Sequence, residues 1–284
     1  MGGAELQKAV PGAAGLLVGS LLCVLLPDRV DGPVLAAAGR QLRVVSTVSV
    51  GTDHIDFAAV RAFDGERAFD GERRLQVGHT PDVLTAACAE LGVALVLATA
   101  RRFKEAIAAA ASGAWAAWSP TFLVGAQLQR KTLGFVGFGR IGQATAARLR
   151  AFEPARLVYW APSPKPAAER APLFAERAAN LAALLAVADL VIVSCSLVAE
   201  TRHLFNADTF AAMKKGSILI NIARGAIVNH DHLFEALKNG NTVAAAGLDV
   251  TDPEPLPVDH PLQSLPNCLI LPHISSATLE TREA

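Results

Sequence analysis

Short apolar runs recur along the second half of the chain and alternate with segments of helical periodicity. The runs are Leu133–Val136, Leu157–Trp160, Leu190–Val193, Ile218–Ile222, Val243–Leu248 and Cys268–Leu271. The segments that we predict as helices between several of them are Ile141–Phe152, Ala178–Val187, Asp208–Lys214 and Asp231–Asn239. Strands that are apolar on both faces and alternate with helices are typical of a parallel sheet covered by helices on both sides. The pattern therefore predicts an α/β fold with a doubly wound parallel sheet.

The first half of the chain contains fewer elements of this kind. Leu42–Val48 is a β-branched run that predicts a strand, and Thr85–Thr99, with Glu90 as its one charged residue, predicts a helix buried on most sides. Ala13–Leu26 is too short for a membrane-spanning helix, which takes about 20 residues. We interpret it as a buried strand; the alternative is the apolar region of a signal peptide behind Lys8.

Three segments are predicted as loops. Residues 61–66 (RAFDGE) are repeated at once as residues 67–72. Because this tandem copy is too short for a solenoid unit, we expect it to enlarge a surface loop, where insertions are tolerated. Ala161–Pro172 contains four prolines and Gly113–Ser119 carries two tryptophans, and neither segment has the pattern of a helix or a strand.

Composition narrows the class of protein. The chain has 284 residues, of which 52% are hydrophobic and 18% charged, which excludes a disordered chain and, at roughly 150 residues per domain, favours two domains. Its 26 basic and 26 acidic residues give a formal net charge of zero, so no basic excess attracts nucleic acid or an anionic membrane. The four cysteines show no CxxC spacing, which favours an intracellular, cytoplasmic protein without a disulfide framework.

The most specific motif follows the first apolar run of the second half. Gly137, Gly139 and Gly142 form a GxGxxG motif directly after a predicted strand and at the start of a predicted helix, with Arg140 and Ile141 in the first helical turn. In this context the first glycine permits a tight turn, the second lets the backbone approach a pyrophosphate and the third allows close packing of the helix on the sheet. The N-terminus of the helix then presents N–H groups to the phosphates. The motif therefore predicts a Rossmann-like site for a dinucleotide.

The segment after the next predicted strand bears on which dinucleotide is bound. An acidic residue for the ribose 2′-hydroxyl is expected there, but residues 160–165 (WAPSPK) contain none. Ser163 and Lys165 instead offer a hydrogen-bond donor and a positive charge. We therefore favour NADP, with NAD as a possible second cofactor; the alternative is a solvated loop that contacts neither.

Polar residues follow the ends of the remaining predicted strands. Ser196 lies just after the strand that ends at Val193, Arg224 follows Ile222, and Asp249 follows Leu248, with Glu254 five residues later. His273 follows the last apolar run. Because ligands of an open α/β sheet bind outside the carboxyl ends of its strands, we expect these side chains to converge at one edge.

This set of side chains suits the reduction of a 2-keto acid. The nicotinamide of the cofactor supplies a hydride, and a guanidinium such as that of Arg224 can bind the substrate carboxylate with two hydrogen bonds. A histidine such as His273 can protonate the carbonyl oxygen. A carboxylate such as that of Glu254 stabilises the imidazolium and selects its tautomer.

With these residues the sequence resembles the D-2-hydroxyacid dehydrogenases, and among them the glyoxylate/hydroxypyruvate reductases. The segments that carry the resemblance span nearly the whole chain: residues 46–54 (STVSVGTDH), 80–85 (TPDVLT), 137–142 (GFGRIG), 221–225 (NIARG), 246–250 (AGLDV), 253–256 (PEPL) and 271–274 (LPHI). The resemblance implies an oxidoreductase that reduces small 2-keto acids, such as glyoxylate and hydroxypyruvate, with NAD(P)H.

The resemblance also implies roles for individual residues. Arg224, Glu254 and His273 correspond to the catalytic set, and Val50 and Gly51 to a substrate loop whose backbone N–H groups meet the substrate carboxylate.

For the cofactor, the resemblance places Asp249 near the nicotinamide and Arg224, and Ser196 and Ile222 along the cofactor. Ser275 stands where similar reductases carry glycine next to the cofactor.

The resemblance further implies a homodimer. Residues 115–118 (WAAW) correspond to a dimer-contact loop, and Trp118 to a residue that reaches the partner's active site; the alternative for Trp118 is a packed interface aromatic. We expect His54 to orient the substrate loop rather than to transfer protons. His230 and His232 have a spacing that does not place both rings on one helix face, and we predict no metal site.

The implied domain organisation is a smaller, flavodoxin-like substrate domain formed by residues 1–82 and 274–284, with the cofactor domain, residues 83–273, inserted in it. Compared with the family pattern, we expect the substrate domain to be incomplete at both ends. The alternative function is therefore a catalytically impaired dinucleotide-binding paralogue, or an interaction protein, on the same fold.

Overall fold

The computed structural model describes residues 7–18, 29–68, 74–169, 172–240 and 242–284. The chain forms two compact units, Met1–Val83 and Leu84–Ala284. The strands are β1 Gly15–Val18, β2 Val44–Thr47, β3 Gln76–Gly78, β4 Thr132–Val136, β5 Arg156–Trp160, β6 Glu176–Arg177, β7 Leu190–Val193, β8 Ser217–Asn221, β9 Val243–Leu248 and β10 Cys268–Ile270. The helices are α1 Gly32–Ala38, α2 Phe57–Ala68, α3 Thr85–Ala100, α4 Phe103–Ser112, α5 Arg140–Leu149, α6 Leu181–Val187, α7 Ala207–Ala211, α8 His230–Asn239, α9 Pro261–Ser264 and α10 Leu279–Glu283.

The first unit contains a parallel three-stranded sheet in the order β1-β2-β3. Its apolar core includes Val30, Leu35, Leu42, Val45 and Ile55. The described part of the stretch predicted as a buried strand does form β1, but Leu17 is 76% exposed, so burial was the wrong expectation for this residue. Among the described residues, strand β1 lies at the edge of the sheet, with a hydrogen-bonded neighbour on one side. Residues 19–28 lie outside the described part of the chain.

The first copy of the six-residue repeat is helical, not a loop as its sequence suggested. Helix α2 begins after Asp56, whose carboxylate accepts hydrogen bonds from the N–H groups of Ala58 and Ala59 at 2.9 and 3.0 Å. Val60 and Phe63 pack against the core of the first unit. An N-terminal cap and an apolar face at helical spacing therefore override the turn character of the repeat. Residues 69–72 of the second copy lie outside the described residues.

The second unit contains a parallel seven-stranded sheet in the order β10-β9-β8-β7-β4-β5-β6. The strands predicted from apolar runs are β4, β5, β7, β8, β9 and β10, and the sequence did not indicate the two-residue edge strand β6. Two apolar clusters include residues of the sheet. One cluster also contains residues of α3 and α5, and the other contains residues of α6, α7 and α8. The doubly wound parallel α/β fold is thus confirmed.

Strand order reverses between β4 and β7, which are neighbours in the sheet although β5 and β6 lie between them in the sequence. Such a reversal opens a crevice at the carboxyl ends of the two strands, because the connections on either side run to opposite faces. The carboxyl end of β4 carries Gly137, and that of β7 carries Ser194. The fold therefore places the glycine motif at the crevice where such sheets bind their ligands.

The boundary between the two units falls after Val83. Residues 274–284 group with the second unit, since the N–H groups of Ile274 and Ser275 bind the side chain of Asp249 at 2.9 and 3.0 Å. That this segment belongs to the substrate domain stays a prediction. Within the described residues, no helix is both long and apolar enough to cross a membrane.

Candidate active site

The turn after β4 requires its first glycine. Gly137 has φ +82°, and a Cβ atom there would lie 2.5 Å from the backbone N and Cα of Cys195. Its N–H donates to the carbonyl of Trp160 at 2.9 Å, and its own carbonyl accepts from the Ser194 hydroxyl at 2.9 Å. A side chain at this position would collide with backbone in a conformation that already favours glycine. The turn therefore joins three strand ends, through a backbone hydrogen bond to Trp160 and a side-chain hydrogen bond from Ser194.

The second glycine leaves space where a phosphate could lie. Gly139 is the N-cap of α5 and offers no side-chain acceptor to the first helical turn, and a Cβ atom there would meet nothing within 4 Å. A Cβ at Gly142, in contrast, would lie 2.7 Å from the Ser194 hydroxyl oxygen. The open space beside the N-terminus of a ten-residue helix fits a pyrophosphate, so these residues fit a dinucleotide.

The loop after β5 is organised by a buried tyrosine. The Tyr159 hydroxyl accepts a hydrogen bond from the Lys165 N–H at 2.7 Å and donates one to the carboxylate of Glu169. Its ring stacks on Phe138 with centroids 4.7 Å apart. Burial, with a smaller effect of the bond to Glu169, raises the pKa of Tyr159, so the phenol stays protonated. Loop 161–169 is therefore tied to the sheet at two points.

Two cationic side chains lie at this loop, Lys165 within it and Arg177 on the neighbouring strand β6. The Lys165 ammonium donates to the Ser163 hydroxyl at 3.2 Å, which brings together the two residues proposed from the sequence. The Arg177 guanidinium donates to the carbonyls of Ala161 and Pro162, each at 3.3 Å. Sequence analysis missed Arg177 because it lies on β6, which has no apolar pattern. The loop is thus more positively charged than its own sequence indicates.

The turn that carries Arg224 is held by its neighbours. Asn221, fully buried at the end of β8, donates from Nδ2 to the Arg224 carbonyl at 2.9 Å and accepts at Oδ1 from the Ala223 N–H at 3.0 Å. A Cβ atom at Gly225 would lie 1.9 Å from the Thr251 carbonyl oxygen. The backbone after Arg224 therefore lies directly against the segment that leads to Glu254. The Arg224 guanidinium donates from Nη1 to the Ala223 carbonyl at 2.9 Å.

His273 and Glu254 form a close pair. His273 Nδ1 lies 2.5 Å from Glu254 Oε1, and their side chains are 16% and 17% exposed. Because an ionised carboxylate only accepts hydrogen bonds, Nδ1 carries the proton, which leaves Nε2 as the nitrogen that gains or loses one. The other carboxylate oxygen accepts from the Thr251 N–H at 3.3 Å. The pair can therefore store and release a proton at a defined atom.

Asp249 is buried at the end of β9. Its carboxylate accepts from the N–H groups of Ile274 and Ser275 and from the Ser275 hydroxyl. Burial raises the pKa of Asp249, and these three hydrogen bonds oppose the rise. The structure thus places Asp249 and Ser275 in contact with each other and beside His273, whereas their roles toward a nicotinamide stay predictions.

The other residues proposed along the cofactor lie in different surroundings. Ser196 is exposed, and its carbonyl accepts from the Thr201 hydroxyl at 2.8 Å. Ile222 is buried in the apolar cluster that includes α3 and α5. Their contacts with a cofactor stay predictions.

The residues proposed for the substrate loop lie in the first unit. The Gly51 carbonyl accepts from the Ser49 hydroxyl at 2.6 Å, and the Val50 carbonyl lies 3.2 Å from His79 Nδ1. His54 is buried, and its carbonyl accepts from the Val30 N–H at 2.9 Å. These hydrogen bonds hold the conformation of the loop after β2. The roles of these residues toward a substrate stay predictions.

Trp118 is one of several exposed apolar side chains of the second unit. It is 84% exposed. Other apolar side chains exposed on α4 and the following segment are Phe103, Ile107, Trp115, Phe122 and Val124. Exposed apolar side chains that form one surface mark an interaction site in many proteins.

His230, which sequence analysis set aside, contacts the segment that carries Glu254. Its Nδ1 lies 2.8 Å from the Asp252 carbonyl oxygen and 3.2 Å from the Asp252 backbone nitrogen. Burial lowers the pKa of His230, against a smaller opposing effect of the Asp252 carbonyl, so the ring is neutral at neutral pH. The two residues lie 22 positions apart, and the sequence offered no signal for their contact.

The second unit matches a known protein family over most of its length. Residues 93–275 match the family of the D-isomer specific 2-hydroxyacid dehydrogenase, NAD binding domain. The chain is 46% identical over 278 residues to the glyoxylate reductase/hydroxypyruvate reductase of Homo sapiens, covering 98% of this chain and 79% of that protein. It is 43% identical over 265 residues to the glyoxylate reductase of Thermofilum pendens, covering 93% and 74%.

Solved structures show the same fold. The TT0316 protein from Thermus thermophilus superposes with a TM-score of 0.84 at 48% identity, covering 99% of this chain and 81% of that one. A glyoxylate reductase from Paecilomyes thermophila superposes with a TM-score of 0.85 at 26% identity, covering 100% and 82%.

Proposed function

The chain belongs to the D-isomer specific 2-hydroxyacid dehydrogenase family, and from this premise we propose that it reduces glyoxylate and hydroxypyruvate to 2-hydroxy acids, with NADPH as the favoured hydride donor. It is an NAD(P)-dependent oxidoreductase by family. The observation that carries the proposal is the His273–Glu254 pair at 2.5 Å, in the same unit as a dinucleotide-binding turn.

The proton comes from the side chains of the second unit. When bound, the cofactor supplies a hydride to the carbonyl carbon of the 2-keto acid. His273, protonated on both nitrogens, gives its Nε2 proton to the carbonyl oxygen as negative charge develops there. Glu254 stabilises the imidazolium and keeps the second proton on Nδ1. One hydride and one proton convert the carbonyl group into an alcohol.

Arg224 is proposed to bind the substrate carboxylate. Its turn is held by the buried Asn221 and lies against the segment leading to Glu254. A guanidinium can form two parallel hydrogen bonds to a carboxylate, which orients the neighbouring carbonyl. Val50 and Gly51, with Trp118 of a partner chain, are proposed to complete the substrate site.

The preference for NADPH rests on the loop after β5. Ser163 and Lys165 lie together there, Arg177 adds a second positive charge, and residues 160–165 contain no acid. The nearest acid on the loop, Glu169, accepts the hydrogen bond of Tyr159. A ribose 2′-phosphate would meet positive charge, whereas the acid that selects a 2′-hydroxyl is missing.

The rest of the cofactor is proposed to lie along the turn and the strand ends. Gly137, Gly139 and Gly142 would hold the pyrophosphate with the first turn of α5. The residues proposed to line the remainder are Arg140, Ile141, Ser196, Ile222, Asp249 and Ser275.

A homodimer is the proposed assembly, because exposed apolar side chains that include Trp118 would be covered by a second copy. A cytoplasmic location is proposed on the cysteines: Cys88, Cys195 and Cys268 are free thiols, as a reducing compartment would keep them. Sedimentation of the purified protein tests the proposed homodimer. A Trp118→Asp variant is expected to shift the dimer toward monomer.

The decisive experiment measures NADPH oxidation by the purified chain with glyoxylate, hydroxypyruvate and a bulky aromatic 2-keto acid. Turnover of the two small acids, lost in His273→Ala, is expected. Turnover of the aromatic acid alone would refute the proposed substrates. Tight NADPH binding without turnover of any 2-keto acid would point instead to the impaired paralogue, which the intact His273–Glu254 pair does not favour.

A further inference from the structure

The turn after β10 closes around the carboxylate of Asp249. Oδ1 accepts from the Ile274 N–H at 2.9 Å, and Oδ2 accepts from the Ser275 N–H at 3.0 Å and from the Ser275 hydroxyl. The Asp249 carbonyl in addition accepts from the His273 N–H at 2.8 Å. Asp249 therefore binds three consecutive residues of this turn, and the first of them is His273.

This turn needs such support because of the conformation of His273. Its φ is +53°, in the left-handed region that few residues other than glycine adopt. Such a conformation is strained, and it persists only where the surrounding contacts hold it. The contacts that hold His273 are its own N–H bond, the two that follow it, and the bond from Nδ1 to Glu254.

The Ser275 hydroxyl is the one side-chain donor among the three groups that bind the Asp249 carboxylate in the described structure. Both residues are buried: Asp249 is 1% and Ser275 5% exposed. A buried carboxylate that loses a hydrogen-bond donor is destabilised in its ionised form, because water cannot replace the donor. The hydroxyl therefore helps to keep Asp249 ionised and in place.

We propose that Ser275 and Asp249 are positioning residues for the catalytic histidine: their hydrogen bond holds the left-handed turn that aims His273 at Glu254. The inference rests on the proposed function only in calling His273 the proton donor. It adds a role for the Ser275 hydroxyl, which is engaged within the protein, to the proposed place of this residue along the cofactor.

The test compares Ser275→Ala with Ser275→Thr and with a control, Ser276→Ala, whose hydroxyl is not among the donors to Asp249. Ser275→Ala should lower kcat roughly tenfold, about the rate equivalent of one hydrogen bond to a charged group. Its KM for NADPH should change by no more than about twofold, because the interactions that bind NADPH before the chemical step are retained. Ser275→Thr, which keeps the hydroxyl, should recover part of kcat, and Ser276→Ala should match the parent.

A second measurement does not depend on turnover. In histidine-labelled protein without cofactor, the Nδ1 proton of His273 bonded to Glu254 should give a strongly low-field NMR signal. In Ser275→Ala this signal should broaden or move, while thermal melting shows that the protein is folded. Asp249→Asn, which removes the charge that binds all three donors, should have a larger effect of the same kind.

Three outcomes would overturn the inference. One is an unchanged NMR signal together with an unchanged kcat in Ser275→Ala. Another is a change in KM for NADPH with kcat unaltered, which would place the hydroxyl on the cofactor. The third is a Ser275→Thr variant as impaired as Ser275→Ala, despite a native melting curve. If the parent reduces no 2-keto acid, the proposed function fails, and the NMR comparison still decides the positioning.

Discussion

Glu254 and His273 are 19 residues apart in the chain and join through a 2.5 Å contact between Oε1 and Nδ1. The chain reaches this contact from two different strand ends. Glu254 follows β9, and His273 follows the neighbouring strand β10. The Glu254 carboxylate also accepts a hydrogen bond from the Thr251 N–H. This bond fixes the carboxylate to which the imidazole of His273 is bound.

Replacing Glu254 by Gln tests this pair. The amide has nearly the shape of the carboxylate but no charge to stabilise the imidazolium. Because reduction requires protonated His273, kcat should fall about tenfold or more, whereas the KM for hydroxypyruvate should change little. The measurement is steady-state kinetics with hydroxypyruvate. An unaltered kcat in a folded variant would contradict the pairing, and Asp249 would be the next acid to consider.

A second prediction concerns the contribution of His273 to turnover. His273→Ala should lower kcat by about 10²–10⁴-fold, the usual contribution of a general acid. The exposed His203→Ala serves as a matched control that leaves turnover intact. NADPH binding, followed by fluorescence titration, should stay close to that of the parent, and a comparable loss of binding would show that the variant is misfolded instead.

The two glycines of the turn should respond differently to alanine. Gly137→Ala places a Cβ 2.5 Å from the Cys195 backbone at φ +82°, so the variant should melt at a lower temperature. Gly139→Ala meets nothing within 4 Å and should melt like the parent but bind NADPH much more weakly, because the methyl group occupies the space for the phosphate. Thermal melting and fluorescence titration separate the two effects; full NADPH affinity in Gly139→Ala would contradict the proposed phosphate site.

Cofactor preference should depend on the loop after β5. Lys165→Ala and Arg177→Ala should each weaken NADPH binding several-fold, with little effect on NADH, because a single charge contact to a phosphate is lost. Ser163→Asp should repel the 2′-phosphate and reverse the preference. Lys131→Ala, outside the loop, is the charge-matched control. Equal losses for both cofactors would mean that the loop does not contact the 2′-phosphate.

His230 should make stability depend on pH. Its pKa is lowered from 6.5, with burial as the main cause, so the unfolded state takes up a proton more readily than the folded state. The neutral ring stabilises the fold fully above pH 6.5, and this contribution is lost as the pH falls toward the lower folded pKa. Urea unfolding at pH 8 and at pH 5.5 should show a smaller pH dependence for His230→Asn than for the parent. An identical pH dependence in both would contradict the assignment.

Several features of the molecule could be predicted from local sequence patterns. The strands of the large sheet follow from runs that are apolar on both faces, because a parallel strand buried between helices needs such a run. The glycine turn follows from its spacing after one of these strands. Arg224, Glu254 and His273 were identified because carboxyl ends of parallel strands meet at one edge. Each of these inferences depends on local pattern plus one topological rule.

The pairing of side chains that are distant in sequence became visible in the folded chain. Ser275 bonds to Asp249 across 26 residues, His230 to the Asp252 backbone across 22, and Arg177 to the Ala161 carbonyl across 16. Helix α2 likewise takes in the first copy of a repeat with a loop-like sequence, because Val60 and Phe63 find a core to pack against. Hydrogen-bond partners and packing surfaces at such separations depend on strand register and on the angles of turns. Periodicity and spacing report on the local structure of one segment. They do not indicate which group distant in sequence the folded chain brings within hydrogen-bond distance, about 3 Å.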